Sequence, residues 1–159
     1  MKTAAISPAS AERQVKAFIA KFEPKHQGLI RSVRTALRKH FPTGVELAYD
    51  NYNFFVLGYG PTEHPSDAVV SIASGANGVS VCFLHGARLP DPKKILLGSG
   101  TQTRFIRVPS ADVLKRPEVE ALLSLAVAKA RTPFPTTGER TLVIRSVSAK
   151  QRPRRRATA

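Results

Sequence analysis

The chain has 159 residues, 42% of them hydrophobic, with a single cysteine. That leaves room for one domain around one core, and no apolar run approaches the roughly 20 residues of a membrane-spanning helix. A net charge of +14 and an isoelectric point near 10.8 favour polyanionic company over acidic function classes. The opening MKTAAISPASAERQVKAF holds one early lysine and a short apolar patch, less than the about 7–15 apolar residues of a secretory core. Cys82 has no partner for an internal disulfide, so a reducing, cytoplasmic location is expected.

Taken in chain order, Ser10 reads as a helix cap with Glu12 in the first turn. Val15, Phe18, Ile19 and Phe22 then recur at helical spacing until Pro24. A second helix is expected from about Lys25 to Phe41, with Leu29, Ile30, Val33, Ala36, Leu37 and Phe41 on one face and Arg31, Arg34 and Arg38 as a stripe on the other. Pro42-Thr43-Gly44 stops it.

From Val45 the period becomes extended. Val45–Tyr49 and Phe54–Leu57 are strand candidates joined by Asp50-Asn51-Tyr52-Asn53. Ala68–Ala73 and Val79–Leu84 read as a hairpin around Ser74–Gly78, and Arg104–Val108 as a further strand. A helix begins at Pro117, with Val119, Leu122, Leu123, Ala126 and Ala130 on one face. Residues 132–148 read as a linker with a possible extra strand at Thr141–Val147, and residues 149–159 as a flexible basic tail. Helices flanking a run of adjacent strands give an α+β two-layer sandwich, an antiparallel sheet with N-terminal and C-terminal helices on one face.

Gly98-Ser99-Gly100 resembles a phosphate loop only superficially. Such a loop needs a helix behind it to aim backbone N–H groups at the anion. Here a strand follows, and the expected role is a bend. No nucleophile elbow, zinc-ligand spacing or paired-carboxylate site is visible. His26 and His40 lie about 21 Å apart along one helix and cannot share a metal. Cys82, within an apolar strand, reads as an inert thiol. No catalytic residue, metal site or cofactor is therefore assigned. The best candidates for binding a small ligand are Tyr49, Asp50, Asn51, Tyr52, His85 and Arg104, with Arg104 pairing an anion and the tyrosines giving apolar contact. The candidates for nucleic-acid contact are Arg31, Arg34 and Arg38 on the helix and Arg152, Arg154, Arg155 and Arg156 on the tail.

The segments ELAYDNYNFFVLGYGPTEHPSDAVVSIA and VCFLHGARLPDPKKILLGSGTQTRFIRVPSADVLKRPEVEALLSLAVAKA resemble the YdhG-like family of small bacterial domains of unknown function. The match runs from about Val15 to Arg131, defining a domain over residues 1–131. It rests most on His85-Gly86, Leu89-Pro90-Asp91-Pro92, the Gly98 and Gly100 pair with Arg104, and the Ser-Ala-Asp helix start. What it implies is a frataxin-like layout. One branch of the family is linked to intracellular iron delivery, but Arg13, Lys16, Lys21, Arg31, Arg34 and Arg38 give the early helices here the wrong charge for Fe²⁺. The expectation is thus a non-catalytic binding module for a small anionic ligand or a protein partner. Nucleic-acid association through the tail is the alternative, and iron carriage a weaker one.

Overall fold

Ser7 and Pro8 decide where the chain first becomes helical. In the computed structural model, which describes residues 7–157, the Ser7 hydroxyl accepts from the Ser10 N–H at 3.2 Å. Pro8 sits in the first turn, where its missing N–H is no loss. Helix α1 is therefore Pro8–Ile19, starting a turn earlier than the Ser10 cap read from sequence. Most of the apolar patch read for a secretory core, Met1–Ile6, lies outside the described residues. Helix α2, Pro24–Arg38, begins on another proline and buries Ile30, Val33 and Leu37.

The helices turn their aromatic residues onto a sheet. Phe18 and Phe22 approach Phe55 at ring separations of 5.9 and 6.4 Å, and Phe41 stacks on Tyr59 at 5.0 Å. Strands β1 (Val45–Asp50), β2 (Phe55–Gly60), β3 (Val70–Gly75), β4 (Gly78–Phe83) and β5 (Arg104–Arg107) pair antiparallel in sequence. A 3-10 turn at Ala111–Lys115, capped by Ser110, leads into helix α3, Pro117–Ala128. The chain then crosses to the far edge, where β6, Thr141–Val147, lies parallel to β1. The resulting order is β5-β4-β3-β2-β1-β6, an open, mostly antiparallel sheet in an α+β two-layer sandwich.

The expected linker is part of this domain. Phe134 packs 5.6 Å from Phe41, and Arg140 closes the end of α2 by donating to the Phe41 and Arg38 carbonyls at 2.7 and 3.2 Å. Nor is the tail free. The Ser148 N–H and the Gln151 side chain both donate to the Asp50 carbonyl, at 2.9 and 2.8 Å, and the Arg152 N–H donates to Tyr52 at 2.8 Å. Arg154 is 4% exposed. The folded unit thus continues past the expected boundary at Arg131 to at least Arg154, because β1 offers an unfilled hydrogen-bonding edge and a buried carboxylate that this segment completes.

Candidate functional site

Strand β1 is buried on both faces, and its residues Glu46, Ala48 and Asp50 point toward the helices. Two carboxylates one helical turn's length of sequence apart therefore enter the interior, and each draws cations from elsewhere. Glu46 is fully buried. Arg34 donates to it at 2.9 and 3.2 Å, Arg38 at 2.6 and 3.2 Å, and the Tyr59 hydroxyl at 2.6 Å. Glu12 on α1 bridges the same two arginines from outside, at 2.8 to 3.1 Å. Burial alone would raise the Glu46 carboxyl. The two guanidinium partners outweigh it and hold it at about 2, against an ordinary 4.5. The same surroundings push the Tyr59 hydroxyl up, through burial first and then the Glu46 charge. This cluster answers two of the candidate nucleic-acid contacts. Arg34 and Arg38 do not form an open stripe but spend their donors on Glu46 and Glu12, leaving Arg31 as the exposed member.

Asp50, expected at a ligand rim, is likewise fully buried. Lys21, on the link between α1 and α2, donates to one carboxylate oxygen at 2.6 Å and Arg154 to the other at 2.9 Å. Burial raises this carboxyl, and hydrogen bonding from Lys21, Gln151 and Arg154, with the Lys21 charge, outweighs it and lowers it. Arg154 also donates to the Asn51 carbonyl at 2.5 Å. Its Nε and Nη1 are buried with no partner, so the pair is closed less completely than the one around Glu46.

The six expected ligand residues do not meet. The register pairs Asp50 with Phe55, Phe55 with Ser74, and Ser74 with Val79, whereas His85 follows Phe83, which pairs with Val70 and Arg104. Those two rows lie about 13 Å apart along the strands alone. Tyr49 faces away from Asp50 across the pleat, Asn51 accepts from the Ser146 hydroxyl at 2.6 Å, and Tyr52 is exposed. Arg104 turns back on its own loop, donating to the carbonyls of Gly100 and Thr103 at 2.6 and 2.9 Å. That loop is a bend: Leu97 and Phe105 exchange backbone hydrogen bonds at 2.8 and 3.0 Å, and Gly98 takes a φ of 114°. Four of the six therefore cluster at the tail end of the sheet, and His85 and Arg104 sit at the other.

At that other end a cleft of about 530 Å³ opens between the turns at Pro65–Asp67 and Gly86–Arg88, the Gln102 loop, Ala126 on α3 and Arg131 beyond it. Gly86 makes the turn possible: a Cβ there would lie 2.6 Å from that of Arg104. The Ala87 N–H donates to the Gln102 carbonyl at 2.8 Å, fixing the adjoining loop. Asp91 closes the next bend by accepting from the N–H groups of Ile95 and Leu96 at 2.9 and 3.0 Å. Its lining combines apolar residues, Val69, Phe83, Leu89 and Ala126, with basic ones, His85, Arg88, Lys129 and Arg131, whose side chains are exposed. The acidic lining residue, Asp67, already accepts from the Thr62 hydroxyl at 2.7 Å. Among the described residues, no ion pair engages Arg88, Lys129 or Arg131. Sequence reasoning named His85 and missed these three cations, although Arg88 stands three residues from it in the most distinctive motif.

Among the described residues no group of three or more histidine, cysteine, aspartate or glutamate side chains is placed to hold a metal ion, and no helix is long and apolar enough to cross a membrane. Burial raises the Cys82 thiol, which disfavours the nucleophilic thiolate. Compared with protein-family models, with curated proteins and with solved structures, the chain matches none.

Proposed function

We propose that this chain is a YdhG-like, cytoplasmic, non-catalytic binding module, and that its ligand is a small organic anion held in the cleft beside His85. The observation that carries the reading is that this cleft gathers Arg88, Lys129 and Arg131, none of them in an ion pair among the described residues, beside apolar residues and a single aspartate. A carboxylate with an aliphatic or aromatic body matches this mixed lining: Arg88 and Arg131 take the charge, and Leu89 with the edges of Val69 and Ala126 takes the body. The family reading is supported by the position of the motif residues, since His85 and Leu89 line this cleft and Gly86 shapes its turn. A non-catalytic role is supported by the environment of the two buried acids, Glu46 and Asp50, which are paired with cations and lie outside the cleft lining.

Thermal unfolding with benzoate and with citrate tests this. A ligand at about 100 times its Kd stabilises the folded state by about 2.7 kcal/mol, a rise of several degrees in Tm for a domain of this size. The expected result is such a rise in the wild type with at least one of the two, abolished in Arg88→Ala/Arg131→Ala. Equal stabilisation of the variant, or none of the wild type by either anion, contradicts the reading.

A further inference from the structure

At the opposite end of the sheet, the docked tail and the β1–β2 turn build a second surface that does not depend on the cleft. Residues 146–157 contain no acidic side chain, and Lys150, Arg152, Arg155 and Arg156 are all exposed. Two of these residues, Arg152 and Arg155, are tied to the domain. The Arg152 N–H is tied to the Tyr52 carbonyl at 2.8 Å, the Arg155 Nε donates to the Lys21 carbonyl at 3.2 Å, and Arg154 between them is anchored on Asp50. Beside them stand two of the largest exposed apolar side chains in the molecule. Tyr52 is 51% and Phe54 50% exposed. The Arg152 guanidinium lies 5.8 Å from the centre of the Tyr52 ring, and Phe54 is backed by the bare backbone of Gly75, where a Cβ would come within 3.1 Å of the ring.

Exposed cations on a docked segment next to exposed rings are the chemistry that single-stranded nucleic acid requires: phosphates follow the charge, and unpaired bases stack on aromatic faces. A duplex would use the charge but not the rings, because its bases are already stacked. An anionic membrane would use both, but the exposed apolar residues here are few and the rings are backed by the domain surface rather than carried on an amphipathic helix. We infer that the docked C-terminal segment and the Tyr52–Phe54 turn form a sequence-tolerant binding surface for single-stranded nucleic acid. The contribution of docking is preorganisation: burying Arg154 fixes the positions of Arg152 and Arg155, so a flexible arm's ordering cost is met during folding.

The test is fluorescence anisotropy with a labelled thymidine dodecamer, with inorganic polyphosphate and anionic phosphatidylserine vesicles as competitors. The full chain is compared with Tyr52→Leu/Phe54→Leu, which keeps apolar bulk at two exposed positions and removes the rings. Loss of stacking predicts about tenfold weaker dodecamer binding in the variant, with its affinity for polyphosphate unchanged. Equal affinity of both proteins for the dodecamer, or a parallel loss for polyphosphate, would reduce the surface to charge alone and overturn the inference. Vesicles that displace the dodecamer from the wild type at lower phosphate concentration than polyphosphate does would also overturn it, in favour of a membrane surface.

Discussion

Strand β1 and the cleft handle positive charge in opposite ways. Around β1 the arginines are turned inward and matched: Arg34 and Arg38 to Glu46, Lys21 and Arg154 to Asp50. Around the cleft, Arg88, Lys129 and Arg131 face one aspartate that is already hydrogen-bonded to Thr62. A buried ion pair contributes mainly by what its loss would expose. An exposed cation outside any ion pair contributes little to folding and is available to an arriving anion. The contrast therefore separates arginines that hold the fold from those available for recognition, in a protein whose overall charge gives no such division.

The sharpest way to break this comparison is at Glu46. Glu46→Ala leaves two guanidinium groups and the Tyr59 hydroxyl facing an empty space, and should cost about 3–5 kcal/mol, read as a large drop in the urea midpoint. Acid should reach the same cluster without a mutation. The Glu46 carboxyl lies at about 2 when folded and near 4.5 when free. A depressed folded value means stability that is complete above the free value and lost as pH falls through the folded one. The loss, about 3 kcal/mol from this group, should therefore fall between about pH 4.5 and 2, with Glu12 and Asp50 lowered in the same sense. In Glu46→Gln that acid-dependent part should shrink.

Arg154 sharpens the comparison from within. Because two of its buried nitrogens have no partner, removing it relieves an unfavourable burial as well as breaking an ion pair. Arg154→Met should cost only about 1 kcal/mol, clearly less than the change at Glu46, measured by the same unfolding. Local opening offers a second readout. Trypsin should cut after the exposed Arg155 readily but after Arg154 slowly, because that side chain must first leave Asp50, and Asp50→Asn should remove the protection. Smallest of all is the expected effect of Arg88→Ala/Arg131→Ala on the unliganded protein, within about 0.5 kcal/mol. A larger loss would place these arginines with the structural group.

Much of the fold was legible because it is written in short-range periodicity. Val15, Phe18 and Ile19 mark α1, the Val70–Phe83 hairpin turns at Ala76-Asn77, and the possible strand at Thr141–Val147 is β6. The polar interior was not legible, for a physical reason. Arg154 and Asp50 are 104 residues apart, and no period links them. Within Arg-Pro-Arg-Arg-Arg, composition treats every arginine as solvent-facing, whereas one buried carboxylate selects a single member. Glu46 hides similarly: strict alternation along Val45–Asp50 would place it with the solvent, but β1 is a strand covered on both faces. For the cleft, His85 and its glycine carried a local signal, while Lys129 and Arg131 sit at the end of a distant helix that only the tertiary packing brings across.

The division between the two regions can be measured with one titration. Histidine ring resonances followed by two-dimensional NMR while benzoate or citrate is added report on both, since His85 lines the cleft and His26 and His40 lie on or next to α2, outside its lining. The account predicts that His85 shifts progressively to saturation with at least one of the anions while His26 and His40 stay in place. A His85 resonance that stays in place with both anions, or a drift of all the histidines together, would contradict it.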